Sequence, residues 1–353
     1  MSERTSSRGR TSVTIGVLVT LGVFVVGLLW AKWTPYVGKA LAAQRTHHWS
    51  GSSILAVGGV RAGDAPTWHA ATTFFHAYFA SIWPALVVAL LISSSVQALV
   101  PRAWLPRVLN RRGLVSSALA GGVASTPSMM CTCCAAPVAV TLRRNGVTRT
   151  AAIAYWLGNP LLNPAVLVFL FFVAPWQWSL TRAVVGIATV IGVGVAVGLV
   201  TGARGVGPPP TDAIAPDDDE SAGAAARFVR SLLCLCLVLL PEYAIMVLVV
   251  GAFRGWLVTL TRPGHQGLLI VLLAAIVGTL LVIPTAGEIP ILQSLALLGA
   301  SSGTLGALLI TLPAISVPGV AMVARSFGWK AIATATVVVV VAGLLGASVL
   351  SVL

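Results

Sequence analysis

Residues 113–144 read GLVSSALAGGVASTPSMMCTCCAAPVAVTLRR, and this stretch decides the architecture. It holds two apolar pieces, Leu114–Ala124 and Ala135–Leu142, separated by STPSMMCTCC. A bilayer core about 30 Å thick needs about 20 helical residues, so neither piece spans it alone. Arg111 and Arg112 precede the stretch, and Arg143 and Arg144 close it. Basic residues beside apolar segments stay on the cytoplasmic side, which puts both ends on one face. The pattern predicts a re-entrant hairpin. The other reading of the same residues is one full crossing broken at Pro127 and Pro137. Non-helical backbone at membrane depth survives only inside protein or beside a water-filled cavity.

Working outward, the whole chain has the composition that such a hairpin requires. Of 353 residues, 57% are hydrophobic and 9% charged, against about 25% charged in soluble domains. Mean hydropathy is +0.95. Apolar stretches approaching or exceeding spanning length run Thr14–Trp30, Ala80–Val100, Ala151–Pro175, Ala183–Val200, Ser231–Gly251, Gly303–Val323 and Ala331–Leu353. The net charge of +13 comes from basic residues in short loops beside these stretches. That placement reads as membrane orientation, and no basic–aromatic platform for nucleic acid is present. Arg4, Arg8 and Arg10 precede the first stretch, and Trp30, Lys32 and Trp33 stand where small residues would mark signal cleavage. An uncleaved helix is expected, with a cytoplasmic N-terminus in the inner or plasma membrane.

The polar interruptions divide the chain into an N-terminal transmembrane helix (1–33), an external polar loop (34–68), a first repeat (69–201), a cytoplasmic acidic and Pro-rich linker (202–225) and a second repeat (226–353). A shift of 153 positions, made without a gap, lays Pro137 on Pro290, Leu142 on Leu295, Gly146 on Gly299, Ala154 on Ala307 and Pro160 on Pro313. Asn163 then meets Ser316. A second hairpin is expected at about 267–299. Three crossings plus one re-entrant element make an odd count, which inverts the second half relative to the first. The expected fold is therefore an all-α polytopic membrane protein of two inverted repeats plus one extra N-terminal helix. Arg182, Arg254 and Arg262 fall on the outer side, as exceptions to the basic pattern, as do Lys32, Lys39, Arg45 and Arg61 in the long first loop.

Chemistry concentrates in a few positions. Cys131, Cys133 and Cys134 lie at the hairpin break, ahead of a short helix expected to begin near Cys134 with Pro137 in its first turn. Thiolates bind soft metals and metalloids, and the same small residues also suit close helix packing. In a regular helix Cys133 would turn away from Cys131. Asn159 and Asn163, each followed by proline, share a helix face; they suit either a kink or a polar cavity, as Ser316 does in the second half. Glu242 and Glu288 are the acidic residues inside membrane stretches. Both are candidates for ion or proton coupling, and Glu288 equally suits a helix cap before Pro290. The five cysteines sit in apolar segments, which argues against a disulfide framework. Phosphate-loop, zinc-protease and serine-hydrolase motifs are absent from the sequence, and nothing calls for catalysis or a cofactor.

The segments SMMCTCCAAPVAVTLRRNG, AYWLGNPLLNPAVLVF, PTAGEIPILQSL and LITLPAISVPG resemble the predicted permease family that includes ArsP-type organoarsenical efflux proteins. The likeness covers roughly residues 70–353. It implies a plasma-membrane permease with a small-molecule substrate, and export of a trivalent organoarsenical as the activity best known in the family. By position it carries a family role onto Cys131, Cys133, Cys134, Asn159 and Asn163. Expectations still open are a permease for another small solute or oxyanion, and a non-transporting subunit of a stress or redox complex. Beyond the lipid bilayer, a homo-oligomer or a partner membrane subunit also stays open.

Overall fold

The computed structural model describes residues 2–47, 54–101, 104–202, 223–259, 268–297 and 299–353. Among these the chain is all-helical, and six helices are long and apolar enough to cross a membrane. The expected linker and Arg262 lie almost wholly outside the described residues.

Helix α1 (Ser2–Leu28) passes through a π-helical turn, Leu29–Trp33, into α2 (Thr34–Thr46). The helix therefore continues to Thr46, where a polar loop was expected from residue 34. Tyr36 and Ala43 provide the reason: both are buried, so this stretch packs as a helix would. A short ordered segment, Ile54–Gly59, leads to α3 (Trp68–Leu99). Then follow α4 (Trp104–Leu109), α5 (Leu114–Ser125), α6 (Thr132–Arg144), α7 (Arg149–Leu161), α8 (Pro164–Val173) and α9 (Trp176–Val200). The second half contains α10 (Ala224–Thr259), α11 (Leu268–Leu280), α12 (Glu288–Leu297), α13 (Ser302–Ala314), α14 (Val317–Phe327) and α15 (Trp329–Val352).

Residues 113–144 enter and leave at one end of the bundle. The Asn110 amide donates to Gly146 O (3.0 Å), and its Oδ1 accepts from Thr148 N (2.8 Å). The two ends of the hairpin are thus hydrogen-bonded to each other. Small residues let α5 lie against the returning α7: a Cβ on Gly121 would come within 2.1 Å of Ala151 O.

The 153-residue register recurs in the backbone. Gly146 and Gly299 have φ of 82° and 84°. Val147 N donates to Leu142 O (3.0 Å), as Ala300 N does to Leu295 O (2.9 Å). Thr148 and Ser301 cap α7 and α13 by accepting from Ala151 N and Thr304 N. Asn163 and Ser316 are the N-cap residues of α8 and α14. Glycine is needed at the first pair because positive φ brings a side chain against its own backbone. The expected single stretch Gly303–Val323 is instead broken at Ile315–Ser316, where α13 and α14 bend by 53°. Pro318 removes the N–H that would have bonded Ala314 O, which explains the break.

Trp68, Trp176 and Trp256 are exposed at one end of α3, α9 and α10, and Trp104 and Trp329 at the other. Exposed tryptophans at both ends suit the two membrane–water interfaces. α3 and α10 run antiparallel, with Gly251 against Phe74 at one end and Ser231 bonded to Gln97 at the other.

Candidate functional site

One group of the polar side chains buried in this bundle, including Ser128, Thr132, Asn159, Arg182 and Glu288, lies where the two helix breaks meet. In the first, α5 ends at Ser125, a 3-10 turn covers Thr126–Ser128, and Met129 takes a left-handed conformation (φ 48°). Cys131 is then the extended N-cap of α6, which starts at Thr132 and not near Cys134 as expected. Pro137 accordingly falls in the second turn, one turn later than its preference for first turns suggested.

This geometry brings the cysteines together. The Sγ atoms of Cys131, Cys133 and Cys134 all lie within 4.8 Å of one another and are buried. Cys131 Sγ is 3.1 Å from Cys134 Sγ and 3.5 Å from Cys133 Sγ. Cys133, which a regular helix would turn away from Cys131, joins because Cys131 precedes the helix and is free of its 100° steps. Tyr78 Oη lies 3.0 Å from Cys133 Sγ and also donates to Ile283 O (3.4 Å), in the second break.

Asn159 holds the first tip in place. Its Oδ1 accepts from Ser128 Oγ (2.5 Å) and Met130 N (3.3 Å), and its Nδ2 donates to Tyr155 O (2.9 Å). Every hydrogen-bonding direction of that amide is used within the protein except one donor. Asn163 caps α8, accepting from Ala165 N and Val166 N. Among the described residues, Asn163 Nδ2 and Ser316 Oγ are buried without a hydrogen-bond partner. These two orphan groups stand at matched positions of the two halves, each beside an unwound turn.

The second break runs from Leu281 to Gly287, and α12 starts at Glu288 as its charge beside Pro290 predicted. Glu288 is not merely a cap. Arg182 Nη1 lies 2.7 Å from Glu288 Oε1, and both side chains are buried. Arg182 Nη2 also donates to Pro160 O (2.8 Å), the carbonyl that Pro164 cannot bond. In the other half, Thr132 Oγ1 donates to Pro313 O (2.8 Å), beside the break between α13 and α14. Each of these two carbonyls is therefore satisfied by a buried side chain of another helix, Arg182 of α9 and Thr132 of α6. A narrow cleft of about 10 Å³ is lined by Cys131, Pro160, Val166, Arg182, Thr285, Glu288 and Pro313, among others. It admits at most one water, so the site is closed in this conformation.

Glu242 stands apart from the site. It pairs with Arg325 Nη2 at 2.6 Å, and the Arg325 side chain is 57% exposed. Two basic residues expected on the outer side are in fact internal. Arg182 is the site cation just described. Arg254 is buried, donating to Leu55 O (3.0 Å), Gly251 O (2.9 Å), Ala70 O and Val57 O while stacking over Phe74. It fastens the segment Ile54–Gly59 to the bundle. Lys32 is buried as well, not in an external loop. Sequence reasoning named neither Arg182 nor Lys32 as a site residue. The available signal was that both broke the basic-residue pattern, because an intramembrane cation escapes a rule about loops.

A family model described as a predicted permease matches residues 67–352. UPF0718 protein YraQ of Escherichia coli (strain K12) is 39% identical over 324 residues, covering 92% of this chain and 91% of the relative. No solved structure matches the chain.

Proposed function

This chain belongs to the predicted permease family, and on that premise we propose that it is a secondary transporter exporting a small, soft, thiol-seeking solute such as a trivalent organoarsenical. The observation that carries this reading is the convergence of Cys131, Cys133 and Cys134 on one buried point at the meeting of two helix breaks. A trivalent arsenical needs converging sulfur ligands, and sulfur selects soft elements over the abundant hard cations. Close packing alone would not require three thiols to face one another. The orphan Asn163 Nδ2 and Ser316 Oγ add buried hydrogen-bonding capacity beside the breaks. Leaving such groups unpaired costs about 1–3 kcal/mol each, which a bound solute would offset.

The two halves act as inverted repeats around this site, in the plasma membrane, with the N-terminus cytoplasmic. The matched caps and glycines in the 153-residue register support that reading. So does the position of the hairpins: residues 110–148 close beside Gly198 near the end of α9, while Gly303 sits against Val271 and Ser351 near the end of α15. Rocking of one repeat against the other would open the closed cleft to alternate faces. The Arg182–Glu288 pair crosses from one half to the other and is broken and remade in that cycle.

The test is growth of an efflux-deficient host on trivalent methyl- and phenylarsenicals, with wild type and a triple Cys→Ser variant expressed to equal levels. Resistance with wild type and its loss in the variant is the expected result. Full resistance in the variant would remove the thiols from the mechanism.

A further inference from the structure

Lys32 belongs to the helix that precedes the family-matched residues, yet it reaches the site. From the π-helical turn Leu29–Trp33, its Nζ donates to Tyr36 Oη (3.0 Å) and to Thr285 Oγ1 (3.1 Å). It also lies 5.1 Å from the Tyr36 ring centroid, an arrangement that favours the ammonium form. Thr285 lines the same cleft as Cys131. Its immediate neighbour, Trp33, donates to Pro127 O (2.9 Å) in the first tip. The N-terminal helix thus touches both tips from a single turn, and π-helical turns are frequent at functional sites.

With the three thiols protonated, the charge at the site does not balance without a ligand. Arg182 and Glu288 cancel, whereas Lys32 bonds hydroxyl oxygens and no carboxylate among the described residues. A lone buried cation is costly, so a ligand complex with one negative charge is favoured there. Three thiolates around a divalent ion carry that charge: the ion and Lys32 together then neutralise the thiolates. An arsenical held by two of the thiols forms a neutral complex and leaves Lys32 unbalanced. Geometry agrees, since metal–sulfur bonds of about 2.3 Å put tetrahedral sulfurs roughly 3.8 Å apart, and the three Sγ atoms here lie within 4.8 Å of one another.

We infer that the three thiols also form a site for a soft divalent cation, bound as a tris-thiolate, with Lys32 as the counter-charge that sets its preference over an arsenical. This rests on the reading that the thiols bind cargo. On cation binding each cysteine gives up its proton as its sulfur–metal bond forms, and three protons pass to solvent. With phenylarsine oxide, two thiols form two As–S bonds, and their protons leave with the oxygen as water.

The experiment measures Cd²⁺ and phenylarsine oxide affinity on the full chain in nanodiscs, following sulfur-to-cadmium charge-transfer absorbance and free-thiol count. Wild type should bind both. K32Q and K32M should each lower the ratio of Cd²⁺ to phenylarsine oxide affinity about tenfold or more, and K32R should restore it. A ratio unchanged in K32Q and K32M, or no Cd²⁺ binding by wild type, overturns the inference while arsenical binding keeps the thiol site. Retention of both ligands by the triple Cys→Ser variant would instead remove the thiol reading beneath it.

Discussion

Arg182 Nη1 and Glu288 Oε1 meet at 2.7 Å between the two halves of the chain, and neither side chain is accessible to solvent. Arg182 comes from α9 and Glu288 from the first turn of α12, so the pair fastens the second helix break to the first half. The same guanidinium holds Pro160 O, tying three elements to a single group. An acid seen in isolation looks like a coupling carboxylate or a cap; beside this arginine it is half of a latch.

Removing one partner of that pair strands the other. Arg182→Met and Glu288→Gln should each destabilise the protein, the former by about 3–5 kcal/mol, because a buried uncompensated charge remains. The double variant should be more stable than Arg182→Met alone. Thermal unfolding in detergent with all three variants checks this, and additive losses would show that the two side chains do not interact. If Glu288 also couples transport to protons, Glu288→Gln should abolish pH-driven uptake into inverted vesicles at normal expression.

For the cysteines, the cluster geometry changes what is expected of single substitutions. All three Sγ atoms share one point, so Cys131→Ser, Cys133→Ser and Cys134→Ser should each weaken phenylarsine oxide binding. Serine preserves near-equal size but is a poor soft ligand, so packing should survive. Direct binding to purified variants measures it. Wild-type affinity in all three would count against thiol ligation.

Asn159 predicts a loss of order at the first tip. Asn159→Leu removes the acceptor for Ser128 Oγ and Met130 N, both buried. Ser128 Oγ keeps Ser125 O as a partner (2.8 Å), so the expected cost is that of Met130 N left unpaired, about 1–3 kcal/mol. Faster alkylation of Cys131, Cys133 and Cys134 than in wild type is the expected readout. An unchanged rate would mean that the tip holds without this amide.

The approach of α5 to α7 is tested by adding volume. Gly121→Val places atoms where Ala151 O already lies 2.1 Å from an added Cβ, so the helices must separate. A destabilisation of at least about 1–3 kcal/mol is expected, and thermal unfolding measures it. Hairpin topology has its own check: cysteines introduced at 112 and 145 should be labelled from the same face of the membrane. Labelling from opposite faces would replace the hairpin with a full crossing.

Much of the architecture was legible because lipid imposes one-dimensional rules. Apolar length gives the spans, basic residues give sides, and proline and glycine mark breaks wherever they fall. The register that laid Gly146 on Gly299 and Pro160 on Pro313 reappears as matched φ values and matched caps. Backbone constraints of that kind act on single residues, so they can be read without knowing what lies nearby. The helical stretch Thr34–Thr46 escaped notice for the complementary reason: its lysine, arginine and glycine look like a loop until Tyr36 and Ala43 are seen to be buried.

The sequence by itself therefore determined that this is an all-helical membrane protein with a thiol-rich break, because composition and local backbone chemistry suffice for that, while the permease class came from its family. Only the tertiary structure decided which charges meet there. Lys32, Arg182 and Glu288 are separated by more than a hundred residues from one another in sequence, and no periodicity links them. Their contacts depend on two helix breaks arriving at one depth, and a side chain's partner is fixed by distance in space, where burial makes an unpaired charge costly.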